Sequence, residues 1–300
     1  MHSSEKIMGC ILGGAIGDCM GGPYEGRNPP FQIYCDHKWK LSDDTLLTLA
    51  TCEAISNQGC IDPAAIADFF TSWFKQGRLV GLGASTYKAL SELSQGGHWA
   101  LVGRKGEMAA GNGAAMRIAP LAFYLDPTER DSRTLVHDVC RITHHNEEAY
   151  VGALAVMLAV HAAWNETWSG QGSLIEFVIG YLPDSSVRDR LIDLAEMKNE
   201  KPLREVATKY GSSGYVVESV PLALLGAELI GTLGFPAMIE ELVACGGDTD
   251  TIAAIAGQIG GTLIGKAGLP KEMLERLPDL DLISKIAQEF CHSRIESACK

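Results

Sequence analysis

Apolar residues recur at three- and four-residue steps through 46–56, 64–75, 84–93, 149–164, 221–233, 237–244, 251–265 and 281–291. That period lays a single apolar stripe along a helix. Strand-like alternation is scarce; 31–34 and 215–217 are the best stretches and both are short. The pattern predicts an all-α protein, a compact bundle of roughly a dozen helices at ordinary helix length. Residues 1–300 read as a single domain, with no fixed-period repeat and no low-complexity tract. The glycine-rich stretches 19–42, 76–83 and 94–113 are expected to be irregular, and the more polar 183–215 to be a surface excursion. The uncharged run 149–164 is shorter than the roughly 20 residues a membrane span needs, so it is expected to be a buried core helix.

Two of the helical segments share a second pattern. Gly9, Gly13 and Gly17 fall at steps of four, as do Ala253, Gly257, Gly261 and Gly265. Residues four apart lie on one helix face. Each glycine costs about 1 kcal/mol against alanine inside a helix, so a packing reason is expected, and close approach of two backbones supplies one. Antiparallel packing of these two segments would bring Asp18, at the end of the first, near Asp248, at the start of the second.

Composition narrows the classes of function. With 46% hydrophobic residues in 300, a sizeable core is available. The net charge of −12 argues against a stable nucleic-acid complex, which needs a basic surface. Nine scattered cysteines, with no Cys-x-x-Cys pair, argue against a disulfide framework or a zinc site and fit a reducing cytoplasm. The start, Met1 to Lys6, lacks the basic region and cleavage site of a signal peptide, and no membrane association is expected.

The chemistry sits in short clusters. Ser42-Asp43-Asp44-Thr45 and Gly246-Gly247-Asp248-Thr249-Asp250-Thr251 each open an apolar, helix-like run. Either could simply cap a helix, since Ser, Thr and Asp are preferred there. Paired aspartates exceed what a cap needs, and two such clusters together form an oxygen-rich set suited to Mg²⁺, Ca²⁺ or Mn²⁺. Two glycine turns, Gly81-Leu82-Gly83 and Gly111-Asn112-Gly113, precede helix-like segments and could present backbone N–H groups to a diphosphate. Neither is a Walker or dinucleotide fingerprint. Asn146 with Glu147 and Glu148 reads as a helix start, with His144 or His145 free to face a pocket. Glu25 follows the first helix in a loop within reach of the acidic clusters; it is either a surface glutamate or a general base or gate.

Taken in order, Gly13-Gly14-Ala15-Ile16-Gly17-Asp18, Ser42-Asp43-Asp44-Thr45, the run Gly111 to Arg117, Thr143-His144 and Gly246 to Thr251 resemble the ADP-ribosylglycohydrolases, a family that includes the dinitrogenase reductase-activating glycohydrolase and the ADP-ribosyl-acceptor hydrolases. The resemblance spans about residue 6 to about residue 267. It implies an orthogonal all-α bundle holding two Mg²⁺ (or Mn²⁺) ions in a cleft, and hydrolysis of the C1″ bond between ADP-ribose and an acceptor. By position, Ser42, Asp43 and Asp44 would ligate one ion, Asp248 and Thr251 the other, and Asp250 would bridge. Asp18 would contact the ribose. The loops at Gly81, Gly83, Gly111, Asn112 and Gly113 would hold the diphosphate, with His144 lining the same site. Glu25 matches a catalytic and gating glutamate of the serine-type members, and Glu25 or Asp44 would take the proton of the attacking water. Met108-Ala109-Ala110 stands where those members carry Gly-Ser-Tyr, so adenine stacking would differ. Partners so implied are ADP-ribose and a modified protein side chain. Two other classes remain open: a non-catalytic, crystallin-like structural relative, and a metal-dependent phosphohydrolase of a nucleotide diphosphate.

Overall fold

The computed structural model describes residues 3–34, 37–197 and 201–298; Met1, His2, Cys35 and Cys299, weighed above, lie outside them. Among the described residues the helices are α1 (Ser3–Gly21), α2 (Asp43–Gln58), α3 (Pro63–Lys75), α4 (Ala84–Ser94), α5 (Arg130–Arg141), α6 (Glu147–Trp164), α7 (Leu174–Ile179), α8 (Ser186–Glu196), α9 (Leu203–Tyr210), α10 (Val216–Glu228), α11 (Ile230–Val243), α12 (Thr249–Ile264), α13 (Lys271–Arg276) and α14 (Leu280–Ala298). Two two-residue strands, β1 (Arg104–Lys105) and β2 (His144–His145), pair in parallel. The protein is all-α, as the apolar period predicts.

Side-chain caps fix several of the helix starts. Ser42 accepts a hydrogen bond from the Asp44 amide at 3.2 Å, Asp62 from Ala64 at 2.9 Å, and Asn146 from Ala149 at 3.1 Å, each satisfying an amide that the first turn leaves unpaired. The uncharged run becomes α6, buried on nearly every side. It packs against α5, α10 and α12 at the centre of the molecule. No helix among the described residues is long and apolar enough to cross a membrane.

The two glycine-stepped helices do pack antiparallel. A Cβ on Gly9 would collide with the Gly261 carbonyl, one on Gly13 with that of Gly257, and one on Gly17 with that of Ala253. The reciprocal positions Gly257 and Gly261 meet the carbonyls of Gly13 and Gly9. The helices therefore approach backbone to backbone, which only glycine at these steps permits.

Several expectations are corrected. Residues 31–34 form no strand and join no sheet. In 215–217, Tyr215 makes an isolated bridge to Gly111, and Val216 already starts α10. The run 221–233 is divided between α10 and α11 at Leu229. The polar stretch 183–215 carries two helices, α8 and α9, whose apolar residues Val187, Leu191, Leu194, Leu203 and Val206 join the core. The seven described cysteines are all free thiols, in keeping with the absence of a disulfide framework.

Candidate active site

The antiparallel pair sets the geometry of the acidic clusters. Asp18 ends its course along α1 fully buried. Its carboxylate accepts from the Ser42 amide at 3.0 Å, the Thr45 amide at 3.3 Å and the Thr45 hydroxyl at 2.5 Å, so it ties the start of α2 to the end of α1. Ser42 Oγ in turn donates to Asp44 Oδ2 at 2.9 Å, and Thr251 Oγ1 donates to the same oxygen at 3.3 Å across from α12. Asp18, Asp44 and Asp250 each present an oxygen within 4.8 Å of the others, and so do Glu25, Asp248 and Asp250. Asp250 belongs to both triads. Asp18 therefore joins Asp44 and Asp250 rather than the Asp248 neighbourhood expected from spacing.

The second cluster is held by its turn and by Asn112. Gly246 and Gly247 adopt φ of +73° and +79°, the left-handed region open to glycine. The Gly247 amide donates to the Arg27 carbonyl at 3.1 Å and the Gly26 amide to the Gly247 carbonyl at 2.7 Å. This pair of hydrogen bonds pins the loop bearing Glu25 beside Asp248. Asn112 Nδ2 donates to Asp248 Oδ2 at 2.7 Å and to Ser219 Oγ at 3.1 Å. The Asn112 side chain thus orients a carboxylate, a placement its sequence motif does not reveal.

A cleft of about 280 Å³ opens over these groups. Glu25, Asp43, Asp44, Asp248, Asp250 and Thr251 form its acidic side, and Gly81, Gly83, Gly111, Asn112, Gly113 and His144 line the rest. Gly83 caps α4, an eleven-residue helix, and Ala84, Ser85 and Thr86 of its first turn line the cleft. Gly111-Asn112-Gly113 leads instead into a single 3₁₀ turn, Ala115–Arg117, not into an α-helix. Ser42 and Asp18 do not reach this cleft; both line a neighbouring cavity.

Three lining or supporting residues escaped the sequence reading. Arg104 is the one arginine or lysine lining the cleft among the described residues. Arg117 is buried, donating from Nη1 to the Gly113 carbonyl and from Nη2 to Thr143 Oγ1, the latter at 2.7 Å. Thr143 Oγ1 lies 2.7 Å from His144 Nδ1. Because the arginine can only donate, the threonine hydroxyl proton is free for His144 Nδ1; in that tautomer Nε2–H is a donor beside Gly111 and Gly113. Burial, and then the charge of Arg117, lowers the His144 pKa to about 3, so its ring is neutral. Arg117 and Thr143 stand inside the quoted motifs, but only burial reveals that they work as a unit.

Burial dominates the electrostatics of the carboxylates. It raises Asp18 and, reinforced by Asp250 and the other aspartates, raises Asp44 far more. Burial and Asp18 push Asp43 up to about 7; burial and Asp248 push Asp250 up to about 9 and raise the exposed Glu25. Asp44 Oδ1 is buried with no hydrogen-bond partner. A buried acceptor left without a donor is costly, and a divalent cation would satisfy it while reversing the mutual repulsion. The residues present therefore fit a metal centre of hard oxygen ligands.

A stability measurement checks this. A raised carboxylate pKa favours the folded state at low pH, and that contribution is lost as pH climbs through the folded value. For Asp250 the loss ends near about 9 and for Asp43 near about 7. His144 has the opposite sign, and its effect is complete once pH exceeds the ordinary 6.5. Between about pH 7 and about pH 9, the urea midpoint of chelator-treated protein is expected to fall, and Mg²⁺ to stabilise it more at the upper end. A flat profile with Mg²⁺ gains independent of pH would contradict the cation assignment.

The fold and site together define an all-α protein with a cation-competent carboxylate cluster beside a glycine-lined cleft. The chain belongs to the ADP-ribosylglycohydrolase family, whose model matches residues 2–298. It is 28% identical to the ADP-ribosylarginine hydrolase Tri1 of Pseudomonas putida, over 95% of this chain and 78% of that one. It is 24% identical to the ADP-ribosylhydrolase ARH3 of Mus musculus, over 96% of this chain and 92% of that one. A solved ADP-ribosylglycohydrolase-related protein complex contains a chain with the same fold, at TM-score 0.68 and 22% identity, covering 97% of this chain and 99% of that one.

Proposed function

We propose that this protein, working as a single domain, is a hydrolase of the C1″ bond between ADP-ribose and an acceptor, releasing ADP-ribose with the help of two Mg²⁺ or Mn²⁺ ions. The observation carrying this reading is that Asp250 belongs to both carboxylate triads, as a ligand shared by two cations must. Ser42, Asp43 and Asp44 are assigned to one ion, Asp248 and Thr251 to the other, and Asp250 to both; Asp18 braces the set through Ser42 and Thr45 and stands near enough to join it. Cations bound there would orient the ribose hydroxyls and lower the pKa of a water.

The chain's own groups have distinct tasks. The amides near Gly81, Gly83, Gly111 and Gly113 hold the diphosphate, Arg104 adds a positive charge, and the neutral His144 donates from Nε2. These contacts fix C1″ over the acidic side. As the C1″ bond to the acceptor breaks through an oxocarbenium-like state, the water oxygen bonds to C1″ and Glu25 takes its proton; that proton then passes to the departing acceptor atom, which leaves with the bonding pair, and Glu25 is restored. Burial and the neighbouring Asp248 raise its pKa, which strengthens it as a base. Asp44 is less suited to that task, because its Oδ2 already accepts from Ser42 and Thr251.

Calorimetric titration of ADP-ribose with and without Mg²⁺, followed by product analysis on ADP-ribosylated protein, tests the reading. Metal-dependent binding and release of free ADP-ribose are expected; release of AMP or phosphate would make the protein a phosphohydrolase, and no binding a structural relative. Glu25→Ala is expected to lower kcat by about 10²- to 10⁴-fold and to leave ADP-ribose affinity in place. Lost affinity with unchanged turnover at saturation would remove Glu25 from the base role.

A further inference from the structure

Beside the cleft lies a second cavity, of about 340 Å³, that shares Glu25 and Asp250 with it. Its floor is acidic, with Asp18 alongside those two, but its remaining charged side chains are Lys38 and Lys40. Both lysines are exposed, and Trp39 between them is buried. Trp39 turns into the core while Lys38 and Lys40 on either side of it line the cavity. Arg276 holds the segment in that setting. Its guanidinium lies 4.3 Å from the centre of the Trp39 ring, and its Nη2 donates to the His37 carbonyl at 3.2 Å. Among the described residues neither lysine has an ion-pair partner.

We propose that this cavity receives the acceptor side of the substrate and that Lys38 and Lys40 select acceptors whose flanking residues are acidic, as in an ADP-ribosylated acidic peptide. The inference rests on the hydrolase reading. The cleft with its glycine loops takes the ADP-ribose, so the acceptor must leave C1″ on another side of Glu25 and Asp250, and the second cavity is the space that meets them there. On a chain of net charge −12 an acidic peptide is repelled almost everywhere, and Lys38 and Lys40, without an ion-pair partner among the described residues, put two positive charges at the mouth of this cavity. The same overall charge makes a peptide the better fit than a nucleic-acid backbone, whose many phosphates would need a wider basic surface.

The test is a panel of peptides carrying ADP-ribose on serine or on arginine, flanked by glutamate, glycine or lysine, and assayed for ADP-ribose release with Mg²⁺. For the linkage the protein cleaves, kcat/KM is expected to favour glutamate over lysine flanks by about tenfold at low salt, narrowing as salt screens the contacts. In Lys38→Gln/Lys40→Gln the preference is expected to shrink below about twofold, while ADP-ribose still binds. Equal rates across flanks in the wild type, or a preference that survives the double substitution, would overturn the proposal while leaving the hydrolase intact. Faster release from an ADP-ribosylated oligonucleotide than from any peptide would overturn it in favour of nucleic acid. Failure of the wild type to bind ADP-ribose would instead remove the hydrolase reading itself.

Discussion

Asp250→Asn is expected to lower ADP-ribose release by at least about a thousandfold, roughly 4 kcal/mol of lost transition-state stabilisation. Asparagine keeps the shape but not the charge, and the one residue common to both triads can no longer serve two cations. Stability should move the other way. Burial and Asp248 make the Asp250 carboxylate unfavourable when ionised, so the cation-free variant should withstand urea at least as well as the wild type at about pH 8, where that charge is costly. The Mg²⁺-induced rise in melting temperature should largely disappear. Measuring turnover, metal-free stability and the Mg²⁺ increment together separates loss of a site from loss of a fold. Near-normal turnover, or an undiminished Mg²⁺ increment, would end the shared-ligand assignment.

Gly13→Ala is expected to destabilise the protein, against the ordinary gain of about 1 kcal/mol for replacing a helical glycine. The added methyl would press on the Gly257 carbonyl, and backbone cannot rotate aside as a side chain can. Gly13→Val should cost about 3 kcal/mol or more, as overpacking at a rigid contact does. Because the same contact sets how far α1 slides along α12, the valine variant should also weaken Mg²⁺ binding, through the placement of Asp18 beside Asp44 and Asp250. Urea titration of both variants, with and without Mg²⁺, checks this. A higher midpoint for Gly13→Ala would mean the helices have room to separate.

Much of this architecture is legible along the chain. Helical segments are visible where apolar runs are long and lack strand-like alternation, as in α2, α6, α12 and α14. Close approach of α1 and α12 follows from glycines at steps of four; their antiparallel sense is seen only in the pairing of Gly9 with Gly261 and Gly17 with Ala253. Helices α8 and α9 carry a legible stripe as well, Val187, Leu191 and Leu194 in one and Leu203, Val206, Ala207 and Tyr210 in the other; the high charge of the stretch around them masks it. The stretch 215–217 is misread for a related reason. Tyr-Val-Val favours a strand locally, yet packing buries both valines as the first turn of α10.

The candidate site divides in the same way. The residue types and their order along the chain determined by themselves that this protein is all-α, that it carries paired acidic clusters with glycine turns, and which family it resembles; these depend on neighbours in sequence. Only the tertiary structure decided that Asp250 joins two triads, that Asn112 orients Asp248, that Arg117 and Thr143 set the His144 donor, and that two lysines border a second cavity. Those are relations between residues as far apart as Asn112 and Asp248, or Thr251 and Asp44. They exist only when helix packing brings the groups within a few ångströms, and burial then shifts their charges.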